Sequence, residues 1–365
     1  MKNKKHIVFV QNVEYPQQWA IDIFYYSKFL SKHKNIKIKV IISKIGEDIS
    51  NENLEIIELW KINYLKFVLK AFKKIKEINK KEKIDYVYFF AQHPFSVLLQ
   101  FLVKYILKIK TIYDVVSWPV WKWIIPLISK ITIKSGVFFS DKYIVLEKWL
   151  IELLNLPKNK TYEIVSMGYN SEIFKENKNI NLFKKKENEI IFTYIWTLNT
   201  ERNLDVFIKA FIENIKRFNN IKLYFIWYWS WEDKLKDIAW NYLKKNIFFL
   251  WKKQHNEIPN FINSSDIMVS YVPKTNYFEY QTPTKLVEYL ACNKPTITTN
   301  TIAQEKILKW YEFLIHKDDF ENTKEKIKYF IENINKLKKY NYTKLVDNYK
   351  WENLVKNIIK LIEVE

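Results

Sequence analysis

Glycine is nearly missing from this chain: 3 residues in 365, where an average usage of about 7% would supply roughly 25. Cysteine is rarer still. The single thiol, Cys292, excludes an internal disulfide framework and a cysteine-rich zinc site, and a reducing compartment is the simplest reading. Arginine occurs only at Arg202 and Arg217, against 58 lysines. His6, His33, His255 and His316 show no metal-ligand spacing, and no metal or other cofactor is expected. The longest apolar stretch, 86–107, is broken by Gln92-His93-Pro94 and carries Lys104. It reads as strand, turn and helix, not as a membrane span. The apolar run Ile7–Val10 behind the basic start is too short for a secretory leader.

What is present supports folding. Hydrophobic residues make up 48% of the chain, and the length suffices for two domains with separate cores. The net charge is +20. Residues 1–170 hold 28 lysines against 15 acids, or +13, and the remainder 32 basic against 25 acidic residues, or +7. Binding of nucleic acid and AT-rich coding would each account for the lysine excess; the partners expected below are not nucleic acids. Fourteen tryptophans stand beside the three glycines.

Strand and helix patterns alternate. Strands are expected at His6–Val10, Lys37–Ile42, Ile56–Leu59, Tyr86–Phe90, Thr111–Val115 and Lys142–Leu146, with helices at 20–32 and 64–80. After residues 166–175 the pattern restarts with Ile190–Ile195, helix 204–218, Lys222–Ile226, helix 233–242, Ile247–Leu250, helix 257–264, Ile267–Tyr271, helix 284–291 and Thr296–Thr299. Such βα alternation predicts parallel sheets covered on both faces. A final helix from 349 to 362 carries Trp351, Leu354, Val355, Ile358, Ile359 and Ile362 on one stripe.

Two segments carry chemistry. In YIWTLNTERNLDVFIKAF, residues 194–211, a strand runs through a polar turn into a helix. That turn aims amides and the Arg202 guanidinium at an anion, and the planar fork of arginine suits a diphosphate; a solvated turn arginine is the alternative. In YQTPTKLVEYLACNKPTITTN, residues 280–300, Thr282 is a good N-cap and Pro283 a good first residue. The amides of Thr284, Lys285 and Leu286 would then face an anion. Glu288, one turn on, could accept from two vicinal ribose hydroxyls, or be a surface acid on an ordinary capped helix.

These segments, with the opening FVQNVEYPQQWAIDIFYYSKFLSK, the hinge VSMGYNSEIFK and the segments LYFIWYWSWEDKLKDIA and NIFFLWKKQHNEIPNFINSSDIMVSYVP, resemble glycosyltransferase family 4. The resemblance implies an α/β GT-B fold: two Rossmann-like βαβ domains facing a cleft, at 1–168 for the acceptor and 169–345 for a nucleotide-sugar donor. A C-terminal helix, 346–365, would pack back toward the first domain. It implies retaining transfer of a sugar from a nucleotide-diphosphate sugar to a glycan or lipid-linked acceptor in cell-surface polysaccharide synthesis. An epimerase and a non-catalytic binding subunit are the rival functions. Thr197 stands at the family's diphosphate arginine and Arg202 at its lysine; Trp196 ends the same strand. Glu288 matches the ribose-binding glutamate, and Tyr280 stands where a second glutamate binds the donor sugar, with Glu279 one step earlier. His93 and Asp114, after two strands, are the catalytic candidates. A cytoplasmic enzyme is expected. The lysine-rich helix 62–81, with Leu65, Val68, Leu69, Phe72 and Ile75 on one stripe, either rests on an anionic membrane surface or packs its stripe into the core.

Against this family, Trp19, Trp196, Trp227, Trp229, Trp231, Trp240, Trp251 and Trp310 fall where glycine is expected, whereas Trp351 matches a tryptophan. A gene whose UGA codons encode glycine, translated with UGA as tryptophan, would produce this pattern. Thirteen conversions would raise glycine from 3 to 16 and leave one tryptophan. A sugar-stacking aromatic surface is the competing account.

Overall fold

The computed structural model describes residues 4–15, 21–60, 63–90, 94–116, 124–198, 200–226, 232–251, 253–275, 278–281, 283–309, 311 and 314–364. The chain divides into two compact units, Met1–Met167 with Trp351–Glu365, and Gly168–Lys350.

In the first unit the order is β1 Lys5–Tyr15, α1 Ile21–Leu30, β2 Ile36–Ile45, β3 Leu54–Glu58, α2 Tyr64–Lys81, β4 Tyr86–Phe90, α3 Pro94–Tyr105, β5 Lys110–Val115, α4 Ile124–Phe139, β6 Lys142–Val145, α5 Lys148–Leu154 and β7 Tyr162–Ile164. The sheet is parallel, with strand order β3-β2-β1-β4-β5-β6-β7. Strand β1 continues to Tyr15 where the sequence reads as a loop; a register shift between Gln11 and Glu14 lets it follow β2. Every residue of β4 and β6 is buried, as befits strands covered on both faces. Helices α2, α3, α4 and α5 cover one face. On that face, a Cβ on Gly136 would lie 2.0 Å from the Tyr113 ring, so α4 reaches β5 only because this position is glycine.

The second unit holds β8 Ile190–Ile195, α6 Leu204–Ile215, β9 Ile221–Ile226, α7 Glu232–Ala239, β10 Ile247–Leu250, α8 Ile258–Ser264, β11 Ile267–Ser270, α9 Thr284–Ala291, β12 Thr296–Thr299, α10 Ile302–Leu308, β13 Ile315–His316, α11 Phe320–Glu332 and α12 Ile334–Leu337. Its parallel sheet runs β10-β9-β8-β11-β12-β13. The chain then returns as α13, Trp351–Glu363, which joins α1 on the other face of the first sheet. Trp351 is fully buried there, stacked on Tyr25 at 5.4 Å and edge-on to Tyr26 at 5.5 Å. Each sheet reverses its winding beside its first strand, between β1 and β4 and between β8 and β11. Ligands bind at such reversal points, at the carboxyl ends of the strands.

Three described tryptophans differ from Trp351. Trp60, Trp240 and Trp251 are exposed, and Trp60 has φ 67°. Trp19, Trp227, Trp229, Trp231 and Trp310 lie outside the described residues. A left-handed conformation costs a residue with a Cβ about 1–2 kcal/mol, and the exposed indole returns little by burial. Trp60→Gly is therefore expected to raise stability by about 1 kcal/mol, read from the urea unfolding midpoint. A lower midpoint would contradict this, and UGG at the Trp60 codon would rule out the glycine reading there.

Candidate functional site

The site in the second unit starts where β8 ends. Trp196 and Thr197 follow the strand, a single 3-10 turn spans Thr200–Arg202, and Asn203 takes the left-handed conformation, φ 46°, that feeds the chain into α6. Short polar side chains tolerate that conformation best. The turn brings the guanidinium back: Arg202 Nε donates to Thr197 Oγ1 at 3.1 Å. The same group lies 5.9 Å from the Trp196 ring and 5.0 Å from the Phe278 ring. Two aromatic faces and one hydroxyl thus fix the arginine without neutralising it.

Helix α9 supplies the second half. Tyr289 Oη accepts from the Ile195 amide at 3.1 Å and donates to the Ile195 carbonyl at 2.9 Å, tying α9 to the end of β8. The helix begins at Thr284, with Pro283 extended in the cap position; Thr282, expected there, lies outside the described residues. The Leu286 amide donates to the Pro283 carbonyl at 3.0 Å, so the expected trio of free amides loses one member.

Lys285 is buried. Its Nζ sits 4.4 Å from the Tyr194 ring and donates to the Tyr271 carbonyl at 3.4 Å. Burial, with the Arg202 charge adding to it, holds its ammonium well below the usual lysine range. Among the described residues no carboxylate pairs with either cation. One turn further, the buried Glu288 accepts from or pairs with His255, Nε2 to Oε1 3.1 Å. Burial works against charging His255, but the Glu288 carboxylate more than offsets it and raises the imidazole above its ordinary value. His255 carried no signal in the sequence, because its link to Glu288 spans 33 positions. The polar contacts of Tyr271 and Tyr289 follow from the fold.

Tyr280 is half-buried in a turn beyond β11. Its neighbour Glu279 lies 3.8 Å from Lys274 Nζ. In the first unit His93 lies outside the described residues. Asp114 is buried at the end of β5, and Tyr88 Oη donates to its Oδ2 at 2.5 Å. Burial pushes Asp114 up to about 8, with the Tyr88 hydrogen bond opposing and Asp22 reinforcing the shift. Asp22, also buried, is pushed up to about 7. At the carboxyl ends of β1 and β4 an apolar cavity is lined by Val10, Val13, Phe67, Phe89 and Leu99; Gln11, also in its wall, keeps a buried Oε1 with no hydrogen-bond partner.

A family model described as glycosyl transferases group 1 matches residues 174–345. A Methanocaldococcus jannaschii protein named as an uncharacterized glycosyltransferase is 25% identical over 248 residues, which is 64% of this chain and 61% of that protein. The chain therefore aligns with less than two thirds of this relative. Sucrose-phosphate synthase from Thermosynechococcus elongatus superimposes with a TM-score of 0.77 at 13% identity, covering 99% of this chain and 98% of that one. Anabaena HepE in complex with UDP and glucose gives 0.76 at 11% identity, covering 99% and 100%. At such identities the likeness establishes the fold, two Rossmann-like domains of the GT-B type.

Asp114 generates a pH test. An unfolded aspartate titrates near 3.9 and the folded one near 8. Its contribution to stability is thus full below about pH 4 and is lost as pH rises through 8. Asp114→Asn should flatten the fall in stability between pH 5 and 8, leaving the slope due to Asp22, and should be the more stable protein at pH 8 by about 1 kcal/mol or more. Parallel urea-unfolding profiles for the two proteins would contradict the buried, protonated assignment.

Proposed function

We propose that the chain is a retaining glycosyltransferase of family 4 that uses a nucleotide-diphosphate sugar. One observation carries this reading: Arg202 and Lys285 lie within electrostatic reach of each other at the carboxyl end of β8, and among the described residues no carboxylate pairs with either. A dianionic diphosphate supplies the missing charge, with the Arg202 fork and the start of α9 as its donors. Glu288, held by His255, accepts from the two ribose hydroxyls. Thr197 positions Arg202, Trp196 walls the same turn, and Tyr280 with Glu279 stands beside the sugar.

In the reaction the bond between the anomeric carbon and the β-phosphate oxygen breaks as the acceptor oxygen bonds to the same carbon on the same face. The acceptor proton passes to the leaving phosphate, so no protein nucleophile is required. Arg202 and Lys285 stabilise the charge that grows on that phosphate. The family resemblance gives His93 a contact with the donor sugar or the acceptor. The acceptor is a glycan or lipid-linked saccharide of cell-surface polysaccharide synthesis. A binding subunit without turnover is the second reading, favoured by Thr197 where the family carries a cation.

The test is a transfer and hydrolysis assay over a panel of nucleotide sugars. Turnover is expected with one of them, and Arg202→Ala should lose about 2–4 kcal/mol of transition-state stabilisation while the melting temperature holds. Unchanged turnover in the variant removes Arg202 from the site. Donor binding without any turnover selects the binding subunit.

A further inference from the structure

The first unit leaves an apolar surface uncovered. Helices α2, α3 and α4 bury one side each against the sheet, and α3 packs against both of the others. Their outward sides are not polar. Leu65 and Leu69 on α2, Phe101 and Tyr105 on α3, and Leu127 and Phe138 on α4 are exposed, from 42% at Phe101 to 72% at Phe138. The spacings i, i+4 on α2 and α3 place each pair on one helical side. Ring contacts run along and between the helices: Phe101 meets Tyr105 on α3 at 4.7 Å and Phe139 on α4 at 5.5 Å. Soluble monomers seldom expose contiguous apolar surface of this kind without a partner for it.

Charge identifies the partner. Helix α2 carries seven lysines, α3 one and α4 two, with Glu77 the single acid on the three. Lys66 and Lys70 adjoin Leu65 and Leu69, and among the described residues Lys66, Lys70, Lys73 and Lys134 form no ion pair with a carboxylate. A second copy of the chain meeting this surface would set ten lysines against ten. An anionic lipid surface has the opposite charge and also accepts the apolar tips at the headgroup boundary. None of the described helices is long and apolar enough to cross a membrane, so the contact is a face lying on the bilayer.

We propose that the α2–α3–α4 face docks the first unit on an anionic lipid bilayer, with Leu65, Leu69, Phe101, Tyr105, Leu127 and Phe138 entering the interface and the lysines on lipid phosphates. The stripe read from the sequence splits accordingly: Val68 and Ile75 are core, whereas Leu65 and Leu69 face outward.

Flotation of the whole chain with vesicles tests this. The chain is expected to float with phosphatidylglycerol–phosphatidylcholine vesicles and not with phosphatidylcholine alone. The Lys66→Glu, Lys70→Glu, Lys73→Glu triple variant should bind about 100-fold more weakly. Leu69→Ser with Phe138→Ser should also lose binding, and both variants should melt as the unchanged chain does, since every altered side chain is exposed. Three results would each overturn the proposal: no flotation of the unchanged chain, equal flotation of all three proteins, or a dimer that the serine variant converts to monomer without any vesicle binding.

Discussion

A lysine side chain buried near a guanidinium, with no acid pairing with either among the described residues, is a costly place for a second positive charge. Desolvating one charge costs several kcal/mol unless it is paired, and the neighbouring positive charge adds to the burden. Lys285 meets that cost with a pKa held well below the usual lysine range, its Nζ over the Tyr194 ring and at the Tyr271 carbonyl. The rest of the second unit fixes this pair in place. The sheet reverses beside β8, the kind of point at which parallel sheets bind ligands. The Tyr289 hydroxyl joins α9 to that strand end, and Thr197, Trp196 and Phe278 pin Arg202. Rigid donors around an unfilled charge deficit are what an anionic ligand requires, because the ordering cost is met before the ligand arrives.

The first unit repeats the topology with different chemistry. Its strand ends meet an apolar cavity, and its buried acids Asp22 and Asp114 are driven toward the protonated state by burial. The helix that completes this unit follows the second one in the chain, and Trp351 seals it against Tyr25 and Tyr26. The outward sides of α2, α3 and α4 place apolar tips beside lysines, of which Lys66, Lys70, Lys73 and Lys134 form no ion pair among the described residues.

Much of this was legible in the residues. Helix α9 spans Thr284–Ala291 as its apolar pattern predicts, although Pro283 takes the cap and not the first helical position; a proline and a run of buried positions are local signals. Arg202 stood out by rarity alone. Elsewhere the signal was not local. The salt bridge between His255 and Glu288 joins residues 33 apart, and spacing rules do not reach that far. Strand β1 outruns its apolar core to Tyr15 because pairing with β2, not composition, sustains it. Asp114 reads as a strand-end acid, yet Tyr88 and the layers above it bury it. The α2 stripe mixes core and surface positions that only packing against α3 separates.

Proton uptake on ligand binding tests the central claim most directly. A diphosphate that pairs with Lys285 must raise its lowered pKa toward the ordinary value. Titration calorimetry with UDP or another nucleoside diphosphate, in buffers of different ionisation enthalpy, should therefore show protons taken up between the lowered and the ordinary lysine pKa. The uptake should vanish in Lys285→Met, with weaker binding. Binding of equal strength in both proteins, with no proton uptake in either, would contradict the account.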